Sequence, residues 1–193
     1  MTWDDWVPRD PSLKPGFDLW RCGDLSGASR FFEQAAAGRP DEPCVWRGLG
    51  SVRWTQRRFE DAREAYGRAL ALDCWNPMNW ANLGLVYRDL GLREQAVRAF
   101  EAAVALDPHY EPAYNEWANV LFDSGRFQDA LPLYRQALAL NSRRAVVHHN
   151  LGVCLRMMGQ TGAAVASFHH ALKLDPGYGF TIRELAQLGE SVV

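Results

Sequence analysis

The sequence predicts an all-α fold of stacked helix–turn–helix units, on three observations. Apolar residues recur at helical spacing, with Trp80, Leu83, Gly84 and Tyr87 on one face of a first segment and Ala96, Phe100 and Ala103 on one face of a second. Punctuation falls between and after them. Leu90-Gly91 stops the first segment, because glycine tolerates the left-handed conformation that closes a helix. Asp107-Pro108 stops the second, because proline cannot continue the hydrogen bonding of the chain before it. Finally, shifting residues 77–110 by their own length in either direction realigns the pattern. One such unit cannot bury its own apolar faces, so its neighbours must cover them.

The spacing Trp, Leu-Gly, Tyr, Ala, Phe, Ala, Pro across residues 77–110 resembles the tetratricopeptide repeat (TPR), whose period is about 34 residues. That resemblance implies a right-handed α-solenoid of TPR helix–turn–helix repeats, with a capping helix at its C-terminal end.

Taken in order, residues 1–14 show no helical period, and Pro8 and Pro11 with the following Pro15 interrupt any regular element. They are expected to form an irregular tail carrying Trp3, Asp4, Asp5 and Trp6. The repeat domain then occupies residues 15–193. Its first repeat, 9–42, is degenerate: Ala28, Phe32, Ala35 and Pro40 keep register, but Pro15 stands where a leucine belongs and fits only an opening turn. The expected first helix is therefore short, from about Pro15 to Cys22, and ended by Gly23.

Residues 43–76 keep Trp46, Leu49-Gly50, Ala62, Tyr66 and Ala69, while Arg53 replaces the tyrosine, Arg57 the turn glycine and Cys74 the closing proline. Residues 77–110 fill every signature position. In 111–144, Tyr114, Trp117-Ala118, Leu121, Ala130, Tyr134 and Ala137 align, with the turn at Ser124-Gly125. In 145–178, Leu151-Gly152, Ala164, Phe168, Ala171 and Pro176 align, and His148 takes the place held elsewhere by Trp46, Trp80 and Tyr114. A capping helix over 180–190 is expected to turn Ile182, Leu185 and Leu188 inward and Glu184 and Glu190 to water.

Composition narrows the function. With 193 residues, 48% hydrophobic and 23% charged, the chain is of ordinary folded character. A net charge of -2 argues against a general nucleic-acid binder. No basic segment followed by an apolar core begins the chain, so no secretory leader is expected, and no apolar run approaches the roughly 20 residues of a membrane helix. Four cysteines lie far apart with no C-x-x-C pair, and Cys22 and Cys154 read as small buried side chains on helices. A cytoplasmic location is the simplest fit.

In the TPR family the first helix of each repeat lines a concave groove that holds ligands. Carried onto this sequence, the resemblance implies a groove presenting Arg47, Ser51 and Trp54, then Asn82, Leu85 and Arg88. Asn115, Glu116, Asn119 and Phe122 follow, then His149, Asn150 and Arg156. Asparagine is a mediocre helix former, and its amide pairs both the N–H and the C=O of an extended peptide, so Asn82, Asn115, Asn119 and Asn150 suit backbone recognition. The two-carboxylate clamp of chaperone-binding TPR domains is not expected, because Glu116 stands where the clamp needs an arginine.

No catalytic residue, metal ligand or cofactor is nominated. The pairs His148-His149 and His169-His170 point about 100° apart on a helix and cannot chelate as an i, i+4 pair does. No metalloprotease, phosphate-loop, serine-elbow or dinucleotide motif is present. The expected function is non-enzymatic: an adaptor binding an extended peptide or helix of a partner protein, without nucleic acid or membrane insertion. The alternatives are a homo-oligomeric scaffold and a chaperone for secreted or assembling subunits. The Trp3-Asp4-Asp5-Trp6 tail, which resembles tryptophan–acidic motifs, adds a route to self-association.

Overall fold

The computed structural model describes residues 10–190, which form eleven α-helices, one 3-10 turn and no strand. The chain divides into two compact units, Met1–Asp107 and Pro108–Val193.

The described part of the first unit opens on a 3-10 turn, Pro11–Leu13, followed by α1 (Lys14–Arg21), α2 (Leu25–Gly38) and α3 (Pro43–Thr55). It continues with α4 (Phe59–Leu72), α5 (Pro77–Asp89) and α6 (Arg93–Leu106). Side chains supply the helix starts: Asp24 accepts from Gly27 N at 2.8 Å, and Asn76 from Met78 N at 3.0 Å. Pro43 and Pro77 open α3 and α5, where an amide hydrogen is not needed. Inside, Phe17, Trp20, Phe32, Val45, Leu49 and Val52 form a continuous core, which Ala62, Tyr66, Leu83 and Val86 extend as a second cluster.

The irregular tail expected through residue 14 ends earlier than the sequence suggests. Asp10 accepts from the backbone and hydroxyl of Ser12, which winds Pro11–Leu13 into a turn and drops Leu13 into the core at 0% exposure. The α1 helix then starts at Lys14, with Pro15 in its first turn. Residues 1–9, including Trp3, Asp4, Asp5 and Trp6, lie outside the described residues. Cys22, expected to be buried, caps the exposed end of α1.

Arg57 marks the one described turn where the repeat lacks its glycine. It takes φ 60, against φ 75 for Gly91 at the equivalent turn, and it is the only described non-glycine residue in that region. A side chain there costs about 1 kcal/mol or more. Its guanidinium lies over the Phe59 ring at 5.5 Å, which offsets part of that cost.

The second unit contains α7 (Glu111–Asp123), α8 (Phe127–Leu140), α9 (Ala145–Met157), α10 (Thr161–Leu174) and α11 (Gly179–Gln187). Helices pair as α7 with α8 and α9 with α10, and α11 packs on both α10 and α9. The last helix differs from expectation in register. Thr181 and Leu185, four residues apart, are its fully buried residues, while Ile182 and Leu188 are half-buried. Glu184 faces Arg156 rather than water, at 2.9 Å.

Candidate functional site

The candidate residues all sit on the first helix of a repeat, and the two units are taken separately. In the first unit, α1, α3 and α5 are linked by a recurring tryptophan strut. Trp20 Nε1 donates to Thr55 Oγ1 at 2.9 Å, and Trp54 Nε1 donates to Asp89 Oδ2 at 2.7 Å. Both members of the second pair lie one repeat beyond those of the first. The Asp89 carboxylate also receives the Arg88 guanidinium at 2.9 Å. Trp54 therefore joins α3 to α5, while Arg88 pairs with its own neighbour on α5.

Ser51 is fully buried. Its hydroxyl donates to Arg47 O at 2.9 Å, which leaves its oxygen to accept the Tyr66 hydroxyl at 3.0 Å. Arg47 is buried beside it on α3. Leu85 is half-buried. Asn82 stands apart from the others: it is 0% exposed, and neither its Nδ2 nor its Oδ1 has a hydrogen-bond partner among the described residues. Asn79, one helical turn earlier and not foreseen from sequence, spends its Nδ2 on Asp73 O at 2.9 Å and so closes the end of α4.

In the second unit the asparagines bind one another. Asn150 Nδ2 donates to Asn119 Oδ1 at 3.1 Å and to Asn115 Oδ1 at 3.3 Å. Asn115 and Asn119 in turn donate to the two carboxylate oxygens of Glu116, at 3.0 and 3.2 Å. Tyr134 completes the network by donating its hydroxyl to Asn119 Oδ1 at 2.8 Å. Burial first, then nearby negative charge including Asp123 and Glu116, pushes the Tyr134 phenol up, so it stays a donor. Asn115, Asn119 and Asn150 thus carry one connected network between α7 and α9. Phe122 packs on Phe127 with ring centres 5.1 Å apart.

At the far end of α9, Arg156 pairs with Glu184 of α11. Nearer its start, His149 Nδ1 meets Thr181 Oγ1 at 2.9 Å, a contact the sequence did not signal. Burial lowers the His149 pKa below its usual 6.5, against the attraction of Glu184.

Two periodic rules explain residues that looked functional. Each first-helix position fifteen residues before the large seam ring matches that ring: Ser51 with Tyr66, Leu85 with Phe100, Asn119 with Tyr134 and Val153 with Phe168. A hydroxyl on the ring comes with a polar partner, and its absence with an apolar one. The second rule concerns Trp46, Trp80 and His148, which reach back to the carbonyls of Pro40, Cys74 and Ser142 at 2.7, 2.9 and 2.9 Å. A carbonyl only accepts, so the His148 ring carries its proton on Nε2 and replaces the indole N–H.

A metal site has one geometric candidate among the described residues. Asp10, Glu42 and Cys44 bring ligand atoms within 4.8 Å of one another. Arg39 Nη1 already sits between the carboxylates, 2.8 Å from Asp10 and 3.2 Å from Glu42, and burial pushes the Cys44 thiol up. An arginine among the carboxylates and a protonated thiol make this an ion-pair junction.

Comparison with known proteins finds one repeat family along the chain. Family models described as tetratricopeptide repeat match residues 17–79, 77–110 and 110–176. The chain is 31% identical over 122 residues to the Protein CTR9 homolog of Arabidopsis thaliana, covering 63% of this chain and 11% of that protein. Another curated relative, Small glutamine-rich tetratricopeptide repeat-containing protein 2 of Mycosarcoma maydis, is 24% identical over 61% of this chain. The chain spans 11% and 34% of these two relatives' lengths. Among solved structures, Pseudomonas aeruginosa pilF superposes with a TM-score of 0.83 at 18% identity, over 97% of this chain and 86% of that one. YrrB, described as a TPR protein with an unusual peptide-binding site, gives 0.70 at 17% identity, over 96% and 98%. At such identities these likenesses show the fold alone.

Proposed function

Because this chain belongs to the tetratricopeptide repeat family, we propose that it is a non-enzymatic interaction module that takes an extended segment of a partner protein on the first-helix face of residues 43–89. Asn82 carries this reading. A buried amide with both its N–H and its C=O unpaired costs about 1–3 kcal/mol per group. A peptide backbone offers the matching carbonyl and N–H. The other asparagines of the candidate set are already satisfied by one another. Leu85, half-buried one turn along α5, adds an apolar contact beside it. Since Asn82 is fully covered, engagement requires the side chains over it to move aside. The description of YrrB as peptide-binding supports the class of ligand. A cytoplasmic location belongs to the same reading and is supported by four cysteines that are all unpaired.

The test is affinity capture from native lysate followed by cross-linking of the recovered partner. It should cross-link within α3 and α5, and N82A should retain little of it. Equal recovery by N82A, with cross-links elsewhere, would overturn the assignment.

One observation favours a second reading, the homo-oligomeric scaffold. Trp75 is 77% exposed beside the exposed Leu72, at the turn where Cys74 replaces the repeat's closing proline. The equivalent residues of the other repeats, Asp41, His109, Arg143 and Gly177, are polar or lack a side chain. An exposed indole of this kind is a strong contact residue. Light scattering decides: association lost in W75A supports the scaffold, and a concentration-independent monomer rules it out.

A further inference from the structure

We infer that α8, α10 and the turn before α9 carry a second interaction surface, and that it takes an acidic segment of a partner protein. This goes beyond the reading built on Asn82 and does not depend on it.

The inference starts from charge. Between Asp129 and Asp175 the chain contains no acidic residue, yet it carries Arg135, Arg143, Arg144, Arg156, Lys173 and every histidine but His109. The whole chain has 21 basic against 23 acidic residues, so this run stands out from an otherwise acidic background. Two of its cations are engaged between first helices, Arg144 with Glu111 at 3.1 Å and Arg156 with Glu184 at 2.9 Å. Arg135, Arg143 and Lys173 are exposed, and none of them makes an ion pair among the described residues. The carboxylates that bound the run have partners of their own. Asp129 pairs with Arg126 at 2.7 Å, and Asp175 accepts from Gly177 N at 3.1 Å.

The helices gather these groups. On α10, His169, Lys173 and His170 fall within an arc of about 100°, so they share one side. The His170 ring stacks on His148 of α9, with centres 5.4 Å and planes 23° apart. His148 is held in turn by the carbonyl of Ser142 at 2.9 Å, and Arg143 is the next residue of that turn. Arg135 occupies on α8 the repeat position that His169 occupies on α10. Leu174, 39% exposed, adds an apolar contact beside Lys173.

Neither packing nor capping asks for these cations. The position of Arg135 and His169 is Gly67 in α4 and Glu101 in α6, and that of Lys173 is Ala71, Ala105 and Ala139 in the earlier repeats. Helices α4, α6 and α8 end without a basic residue in the last turn, so the helix dipole does not require Lys173 either. A carboxylate-rich segment suits the surface: Arg143 and Lys173 pair with its charges, and histidine N–H groups donate to its oxygens. Three unpaired cations on a chain of net charge -2 are too few for a nucleic-acid backbone, whose binders neutralise several phosphates.

The test uses the full chain and a fluorescein-labelled decaglutamate peptide, read by anisotropy at low salt. Wild type should bind it, and R135E/K173E should raise the Kd about tenfold. R68E/R98E makes the same change of charge at exposed positions of α4 and α6 and should leave the Kd unchanged. Equal weakening by the two double variants, or no measurable binding by wild type, overturns the inference. Oligouridine of the same length should bind more weakly than decaglutamate. Tighter binding of oligouridine, lost in R135E/K173E, would make this a nucleic-acid surface and overturn the partner assigned to it. Should R135E/K173E fail to fold, R135Q/K173Q decides in its place, with about a threefold rise expected.

Discussion

Tyr134 donates its buried hydroxyl to Asn119 Oδ1 across 2.8 Å, fifteen residues back in the same repeat. Asn119 therefore has a structural duty that its place on the first helix of a repeat conceals. Removing the hydroxyl in Y134F should cost about 1 kcal/mol, since Asn119 keeps Asn150 as a donor. N119V should cost more, because it strands the phenol and breaks the bond to Asn150. The double variant, which copies the Val153–Phe168 pair, should cost measurably less than the two singles summed. Urea unfolding of the four proteins gives the coupling, and strict additivity would refute the pairing rule.

The strut from Trp54 to Asp89 joins α3 to α5 through a charged acceptor at 2.7 Å. W54F keeps most of the ring contact and loses only the N–H. It should lower stability by about 1–2 kcal/mol, read from the urea midpoint at unchanged slope.

Arg57 holds a backbone conformation, φ 60, that its own side chain disfavours. R57G should stabilise the chain by about 0.5–1 kcal/mol, the strain relief being reduced by glycine's greater unfolded freedom and the loss of the contact with Phe59. A lower melting temperature would show that the Phe59 contact outweighs the strain.

His148 stands in a tryptophan's place by offering Nε2–H to Ser142 O at 2.9 Å. H148F should cost about 1 kcal/mol and H148W less, because the indole supplies the same donor to the equivalent carbonyls at Trp46 and Trp80. Thermal melts of the two variants rank them directly.

The helical pairing was legible because its determinants are local: apolar spacing, turn glycines and closing prolines repeat along the chain. What the sequence reading missed depends on side-chain pairings between helices, within a repeat as well as across repeats. Ser51, Asn119 and Asn150 look alike as polar residues on exposed-seeming faces, yet Ser51 and Asn119 are tied to the seam tyrosine of their own repeat and Asn150 to Asn119 of the repeat before it. The partner of Asn119 could have been found, since Tyr alternates with Phe in step with the residue fifteen positions earlier. The Trp54–Asp89 link was readable in the same way, as an indole and an acceptor spaced like Trp20 and Thr55. No such signal separated Asn82 from its relatives. Its distinction is a lack of partners, which emerges only from the surrounding packing. Thr181 was hidden by the register of α11, which turns it inward in place of Ile182.

Recognition through Asn82 is the central claim, and the affinity of the captured partner segment for purified variants tests it most directly. With the segment as a labelled peptide, N82A should raise the Kd at least tenfold while leaving the unfolding midpoint unchanged or higher, since it deletes two buried unpaired polar atoms. An N82A Kd equal to that of the wild type would contradict the account.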